Sequence, residues 1–104
     1  MDPKNNKPLF TLSVTAEIIG VHPRTLMIYE NEKLVLPYRT KTNRRRYSQD
    51  NVKTLQFIRF LTTKRGVNLS GVRCVLDMLE KFENENENIQ KSTFPDFIES
   101  PVFE

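Results

Sequence analysis

The 104-residue chain has few of the residues that build metal centres, disulfides and glycine-rich phosphate loops. It contains one cysteine (Cys74), one histidine (His22), three glycines and no tryptophan. A single thiol cannot form an internal disulfide or a cysteine-rich zinc site, so we expect a reduced setting and no bound metal. No nucleophile lies at motif spacing from a base, and the glycines are scattered, so we expect neither an enzyme nor a cofactor.

Long apolar stretches are also missing from the sequence. The apolar runs at Ile18–Ile19 and Leu34–Leu36 are far shorter than the roughly 20 residues that a membrane-spanning helix needs. Residues 1–6 contain no apolar segment of the kind found in secretory signals. We therefore expect one small domain with no membrane partner, located in the cytoplasm.

Charge is abundant but unevenly distributed along the chain. Residues 22–65 carry eleven Lys or Arg and three Asp or Glu, whereas residues 66–104 carry three bases and eight acids. A central segment with this excess of bases is typical of a surface that binds a polyanion such as nucleic acid. The alternative is that the bases lie on opposite faces and only solvate the surface.

Capping residues and hydrophobic spacing predict two short helices near the start of the chain. Ser13 can cap the first helix, and Gly20 suits the residue of positive φ that ends it. The second helix should run from Pro23, with His22 as its N-cap, to about Glu32. Two short helices joined by so tight a turn have the sequence form of a helix-turn-helix.

The next segment predicts a small basic hairpin. Leu34–Arg39 reads as an extended strand that Pro37 restricts to the edge of a sheet. Residues 40–43 form a turn, and Arg44–Tyr47 forms the return strand. A hairpin of this kind beside a helix-turn-helix would place several arginines on one protruding element.

Two further helices are predicted after the hairpin. Ser48 caps a third helix that runs to about Thr63, and Asn68 can cap a fourth. In the fourth, apolar residues recur three and four positions apart, as in a short coiled-coil seam with one polar position. Packing on the core is expected up to about Leu79, and self-association of two chains is expected through Val75, Leu79, Phe82, Asn86 and Ile89.

The last eleven residues combine three acids with five apolar side chains, namely Phe94, Phe97, Ile98, Val102 and Phe103. We expect these residues to lie too far from the core to be needed by it. Exposed apolar clusters of this density mark a contact. Two alternatives remain open, since the segment can fold back over an apolar edge of its own dimer or bind a partner protein.

Several motifs occur together in a fixed order: Phe10-Thr11-Leu12, Gly20-Val21-His22-Pro23-Arg24-Thr25-Leu26, Tyr29-Glu30 and Arg45-Arg46-Tyr47-Ser48. Together they resemble the winged helix-turn-helix domain of the MerR family of bacterial transcription regulators. His22-Pro23, and Gly66–Val72 before the fourth helix, are similar to the heat-shock repressor (HspR-like) branch of that family. The metal sensors of the family use paired cysteines, whereas this chain has Cys74 alone.

The resemblance covers about residues 10–80. It implies a mainly α fold, with a winged helix-turn-helix domain, a small β-hairpin wing and a short C-terminal dimerisation helix. The expected organisation is a flexible arm over residues 1–9, a DNA-binding domain over 10–81, and a dimerisation segment and tail over 82–104. The implied function is repression of heat-shock and chaperone operons by a homodimer on an inverted repeat of double-stranded DNA, at the nucleoid. A partner of the tail would then be a cytosolic chaperone or chaperonin.

The candidate DNA-binding residues follow from the docking geometry of such domains. The N-terminal end of the second helix enters the major groove, where Arg24 can donate two hydrogen bonds to guanine. A wing presents arginines to the minor groove or the phosphates, and Tyr38 is expected to pair with Tyr47 across it. The candidate set is His22, Arg24, Thr25, Met27, Ile28, Tyr29, Tyr38, Arg39, Lys41, Arg44, Arg45, Arg46, Tyr47, Lys64 and Arg65.

Two other functions fit the sequence less well and stay open here. An excisionase-like architectural factor would share the winged helix-turn-helix but usually lacks a dimerising helix. A protein-interaction adaptor would act through the aromatic tail, and its basic face would be incidental.

Overall fold

A computed structural model describes residues 3–83 and 89–100. A 3-10 turn over Pro3–Asn6 precedes the strand β1 (Phe10–Thr11) and the helices α1 (Leu12–Ile19) and α2 (Pro23–Asn31). The strands β2 (Tyr38–Arg39) and β3 (Arg45–Tyr47) form the wing. The helices α3 (Gln49–Lys64), α4 (Leu69–Glu83) and α5 (Ile89–Thr93) follow. The fold is the mainly helical winged helix-turn-helix that the sequence predicted, while Asn86, Val102 and Phe103 lie outside the described residues.

The wing belongs to a three-stranded antiparallel sheet of order β1-β3-β2. The sequence predicted only the hairpin, because the two residues of β1 carry no strand pattern of their own. The expected pairing of Tyr38 with Tyr47 is wrong, since Tyr38 lies opposite Arg46 and Tyr47 lies opposite Phe10. Tyr38 is 59% exposed, whereas Tyr47 is 1% exposed and belongs to the core.

Local capping contacts define both helices of the helix-turn-helix. Gly20 ends α1 with φ +81°, and His22 caps α2 by accepting a hydrogen bond at Nδ1 from the Arg24 N–H at 3.0 Å. Thr11, and not Ser13, is the N-cap of α1: its hydroxyl accepts from the Val14 N–H at 3.2 Å. The reason is β1, which holds Thr11 extended and lets the helix start directly after it.

The core is organised around α3. Val52, Leu55, Ile58 and Leu61 are at most 1% exposed and pack against side chains of the other elements. Those partners include Phe10, Ala16, Ile19, Leu26, Tyr29, Tyr47 and Val72. The helix begins in a capping box in which Ser48 and Asn51 each accept a hydrogen bond of 3.0 Å from the other's N–H.

The α3 helix also closes the turn between α1 and α2. The Arg59 guanidinium donates to the Gly20 carbonyl at 2.7 Å and to the carbonyl of Ile19. These carbonyls end α1 and have no partner within their own helix. The contact fixes the helix-turn-helix on α3, and no sequence pattern predicted it because it joins residues 39 positions apart.

The short helix α5 lies back against α4. Val75 and Phe94 line one apolar cavity of about 190 Å³, together with Met78, Leu79 and Ile89. A continuous helix would separate Val75 from Phe94 by about 28 Å, because each residue adds 1.5 Å. Val75, Leu79 and Ile89 therefore pack within one chain in this structure, and Phe82 is 38% exposed.

The described part of the tail packs on α3 through Phe94 and Phe97, so the expectation that the tail lies far from the core is wrong for these two residues. The rings of Phe94 and Phe97 contact Phe57 edge-to-face, at centroid distances of 5.3 Å and 5.1 Å. Both also contact Phe60, at 6.2 Å and 5.1 Å. Phe57 is only 2% exposed, and its burial depends on these two rings. Ile98, by contrast, is 84% exposed.

Candidate nucleic-acid interface

The outer face of α2 is open to solvent. Arg24 is exposed in its first turn, and Met27 and Ile28 are 42% and 46% exposed one turn later. Asn31, also exposed, follows them at helical spacing and extends the same face. Asn31 was not among the predicted DNA-binding residues, although its spacing from Met27 and Ile28 was the available signal. Leu26 and Tyr29 point inward and pack in the core, Tyr29 at 6% exposure, and a contact of Tyr29 with DNA stays a prediction.

Arg24 makes no ion pair with any residue that the structure describes. Glu30, the one acid of α2, lies six positions away and is bound by two other arginines. The backbone N–H of Arg24 is held by His22, while Thr25 lies beside it with its side chain half-buried. The guanidinium therefore stands at the start of α2 with all its donors available for an external acceptor.

A groove of about 560 Å³ separates the start of α1 from the wing. Residues from β1, α1, α2 and the wing line it, namely Thr11, Leu12, Ser13, Pro23, Asn43, Arg44, Arg45 and Arg46. The groove brings the beginning of α1, the beginning of α2 and the wing arginines to one side of the molecule. Thr11 and Ser13 were not predicted to lie there, since only the β1–β3 pairing places them next to the wing.

Glu30, in the last turn of α2, binds two arginines of the wing. Its carboxylate accepts from Arg39 at 2.9 Å and 3.0 Å, one bond to each oxygen, and from Arg45 at 2.6 Å. Burial by itself raises the pKa of Glu30, but the hydrogen bonds and the positive charges of Arg45 and Arg39 together outweigh it and lower the pKa below its ordinary value. Arg39 and Arg45 were predicted to contact DNA; the structure instead engages both with Glu30.

The other basic residues of the wing differ in their exposure and in their contacts with the rest of the described chain. Lys41 and Arg44 are exposed and form no ion pair within the described part of the chain. Arg46 is half-buried and donates to the carbonyl of Arg45 at 2.9 Å. Tyr38 stands exposed on β2, where its hydroxyl can reach a phosphate.

Tyr47 was predicted to contact DNA, and this prediction is wrong. Its side chain is enclosed in the core, and its hydroxyl has no hydrogen-bond partner among the described residues. Burial, with a smaller contribution from the Glu30 charge, raises the pKa of Tyr47 to about 12. The side chain therefore stabilises the contact between the wing and the core and does not reach solvent.

At the end of α3, Lys64 and Arg65 lie next to the tail. Arg65 forms an ion pair with Asp96, and its guanidinium lies 5.6 Å from the ring centroids of both Phe60 and Phe94. The hydrogen bond from Arg65 lowers the pKa of Asp96. Arg65 was predicted to contact DNA, but the tail engages it here; Lys64 is exposed.

In the described residues, no helix is long and apolar enough to cross a membrane. Nor do three or more His, Cys, Asp or Glu side chains come together there in a way that could hold a metal ion. Cys74 is exposed on α4.

Several known proteins are similar to this chain in sequence. Residues 10–79 match the family described as MerR HTH family regulatory protein. The chain is 34% identical over 83 residues to a Streptomyces coelicolor protein named as the heat shock protein HspR, a match that covers 80% of this chain and 52% of the relative. It is 33% identical over 95 residues to the HTH-type transcriptional regulator GlnR of Bacillus anthracis and of Bacillus cereus, covering 86% of this chain and 73% of each relative.

The match to HspR thus spans about half of that relative's length. The family match covers both helices of the helix-turn-helix, the wing, α3 and most of α4, which are the elements that form the interface described above. The resemblance read from the sequence motifs is therefore confirmed: the chain belongs to the MerR family of helix-turn-helix regulatory proteins.

Proposed function

We propose that the chain is a sequence-specific DNA-binding repressor of heat-shock genes, which binds an inverted-repeat operator as a homodimer in the bacterial cytoplasm. The observation that carries the proposal is Arg24: a guanidinium in the first turn of α2 that has no ion pair among the described residues, next to a groove lined by wing arginines. An arginine so placed can bind the O6 and N7 atoms of guanine with two hydrogen bonds. The heat-shock role is supported by the name of the Streptomyces coelicolor relative.

A homodimer is supported by the apolar surface of α4. Met78 and Phe82 are 58% and 38% exposed on the side of the helix that faces the cavity shared with α5. Large exposed apolar side chains around a cavity suit a self-complementary contact between two copies. Two copies related by a two-fold axis would present two equal α2 helices, and hence would bind an inverted repeat.

The described tail leaves a smaller surface for a chaperone than the sequence suggested. Phe94 and Phe97 are engaged with α3, and Ile98 is the large apolar side chain of the described tail that stays exposed. A chaperone or chaperonin that binds the tail would therefore contact Ile98 first. This partner stays a prediction from the resemblance.

The function is tested by comparing two duplexes at low and high salt. One is a genomic fragment selected by the wild-type protein, and the other is a random duplex of equal length. We expect the selected fragment to bind about 10³-fold more tightly or better at physiological salt, because base contacts add to the phosphate contacts. Equal affinities would favour an architectural factor, and negligible binding to both duplexes would favour the adaptor.

A further inference from the structure

Glu30 divides the basic residues of the interface into two groups. Arg39 and Arg45 are bound to its carboxylate, at 2.9 Å and 2.6 Å, whereas Arg24, Lys41 and Arg44 have no ion pair among the described residues. The side chain of Glu30 is 17% exposed, and that of Arg45 is 21% exposed, so water screens this contact only in part. Glu30 thus holds both guanidinium groups in place and neutralises part of their charge.

The position of the three residues links two parts of the interface. Arg39 and Arg45 lie directly opposite each other on β2 and β3, so their like charges repel unless an anion lies between them. Glu30 is that anion, and it comes from α2, the helix whose first turn carries Arg24. One carboxylate thereby fixes both strands of the wing relative to the helix that would enter the major groove.

Helix stability does not explain an acid at this position. The C-terminal end of a helix carries a partial negative charge, which disfavours a carboxylate in the last turn. A negative charge on a face that meets DNA is unfavourable as well. The two arginines of the wing compensate for these unfavourable charge effects. The role of Glu30 therefore concerns the wing and not α2 alone.

We propose that Glu30 is a positioning residue that sets the DNA selectivity of this protein, by holding the wing at a fixed angle to α2 and by neutralising part of the charge that Arg39 and Arg45 would otherwise offer to DNA phosphates. The proposal rests on the proposed function, sequence-specific DNA binding. A wing whose position is fixed before DNA binds fits the DNA at one position of α2 in the major groove. It also loses less conformational entropy on binding there. Two released arginines would instead add phosphate contacts on any sequence.

The test compares Glu30→Gln with Glu32→Gln, which removes the same charge from an exposed residue two positions away. Affinity is measured against salt concentration on a random duplex and on the duplex selected by the wild type. For Glu30→Gln we expect a steeper salt slope on the random duplex, by up to about 1.8, because each phosphate contact contributes about 0.9. We also expect the ratio of selected to random affinity to fall about tenfold relative to Glu32→Gln.

A second pair of variants keeps the test decisive if Glu30→Gln is not folded by far-UV circular dichroism. Arg44→Gln removes a free wing arginine and should flatten the slope on the random duplex by about 0.9. Arg39→Gln removes a bound one and should flatten that slope clearly less than Arg44→Gln does.

The proposal is overturned if Glu30→Gln behaves like Glu32→Gln in both slope and selectivity, or if Arg39→Gln flattens the slope as much as Arg44→Gln. If the wild type itself binds both duplexes equally, the proposed function fails, which is a separate result.

Discussion

Replacing both Phe94 and Phe97 by alanine should lower the free energy of unfolding by about 2–4 kcal/mol, although both residues lie beyond the family match. The two rings cover Phe57, which is 2% exposed, and they contact Phe60 as well. Their loss opens the surface of α3 to water and removes four ring contacts of 5.1–6.2 Å.

The matched control is Ile98→Ala, which removes a large apolar side chain from the same tail at 84% exposure. Its effect should stay within about 0.5 kcal/mol. Urea unfolding followed by far-UV circular dichroism compares the wild type, the double variant and the control. All three are measured at one protein concentration, because dimerisation adds to stability. Equal midpoints for the double variant and the control would show that the tail is free to bind a partner and does not belong to the fold.

The second large effect is expected on DNA binding. Arg24→Ala should weaken binding to the selected duplex by about 1–3 kcal/mol and change the random duplex much less, because a guanine contact is lost. The side chain is exposed and has no ion pair among the described residues, so the fold does not depend on it. Arg44→Ala should differ in kind, since a lost phosphate contact weakens all sequences alike and flattens the salt slope by about 0.9.

The control for Arg24 is Arg73→Ala, which removes the same side chain from α4, outside the candidate interface. Fluorescence anisotropy with labelled duplexes gives both affinities under one buffer condition. If Arg24→Ala lowers the affinity for both duplexes by the same factor, its guanidinium binds a phosphate and does not contact a base.

Contacts within a few residues were predictable from the sequence. Gly20 ends α1 in the left-handed conformation, His22 and Pro23 begin α2, and Ser48 caps α3, all as the sequence indicated. Each of these features depends on residues at most four positions apart, so the sequence pattern contains the whole interaction. The exposure of Arg24 follows for the same reason, because helical spacing alone separates it from the buried Leu26.

Contacts between distant segments were not predictable. Because β1 pairs with β3, the N-cap of α1 is Thr11 and not the predicted Ser13. No pattern within either strand indicates this pairing. Glu30 engages two arginines that lie nine and fifteen residues away, so these residues looked as free as Arg44. The contact between the tail and α3 was not predictable for a similar reason. Aromatic residues close together in the sequence indicate an apolar surface, but they do not indicate which element covers it.

The repression model requires two copies of the chain on one symmetric site, and hydroxyl-radical footprinting tests this most directly. On the fragment selected by the wild type, we expect two equal patches of protection related by a two-fold axis, with two chains bound per duplex in sedimentation at micromolar concentration. A single asymmetric patch with one chain per duplex would contradict the account.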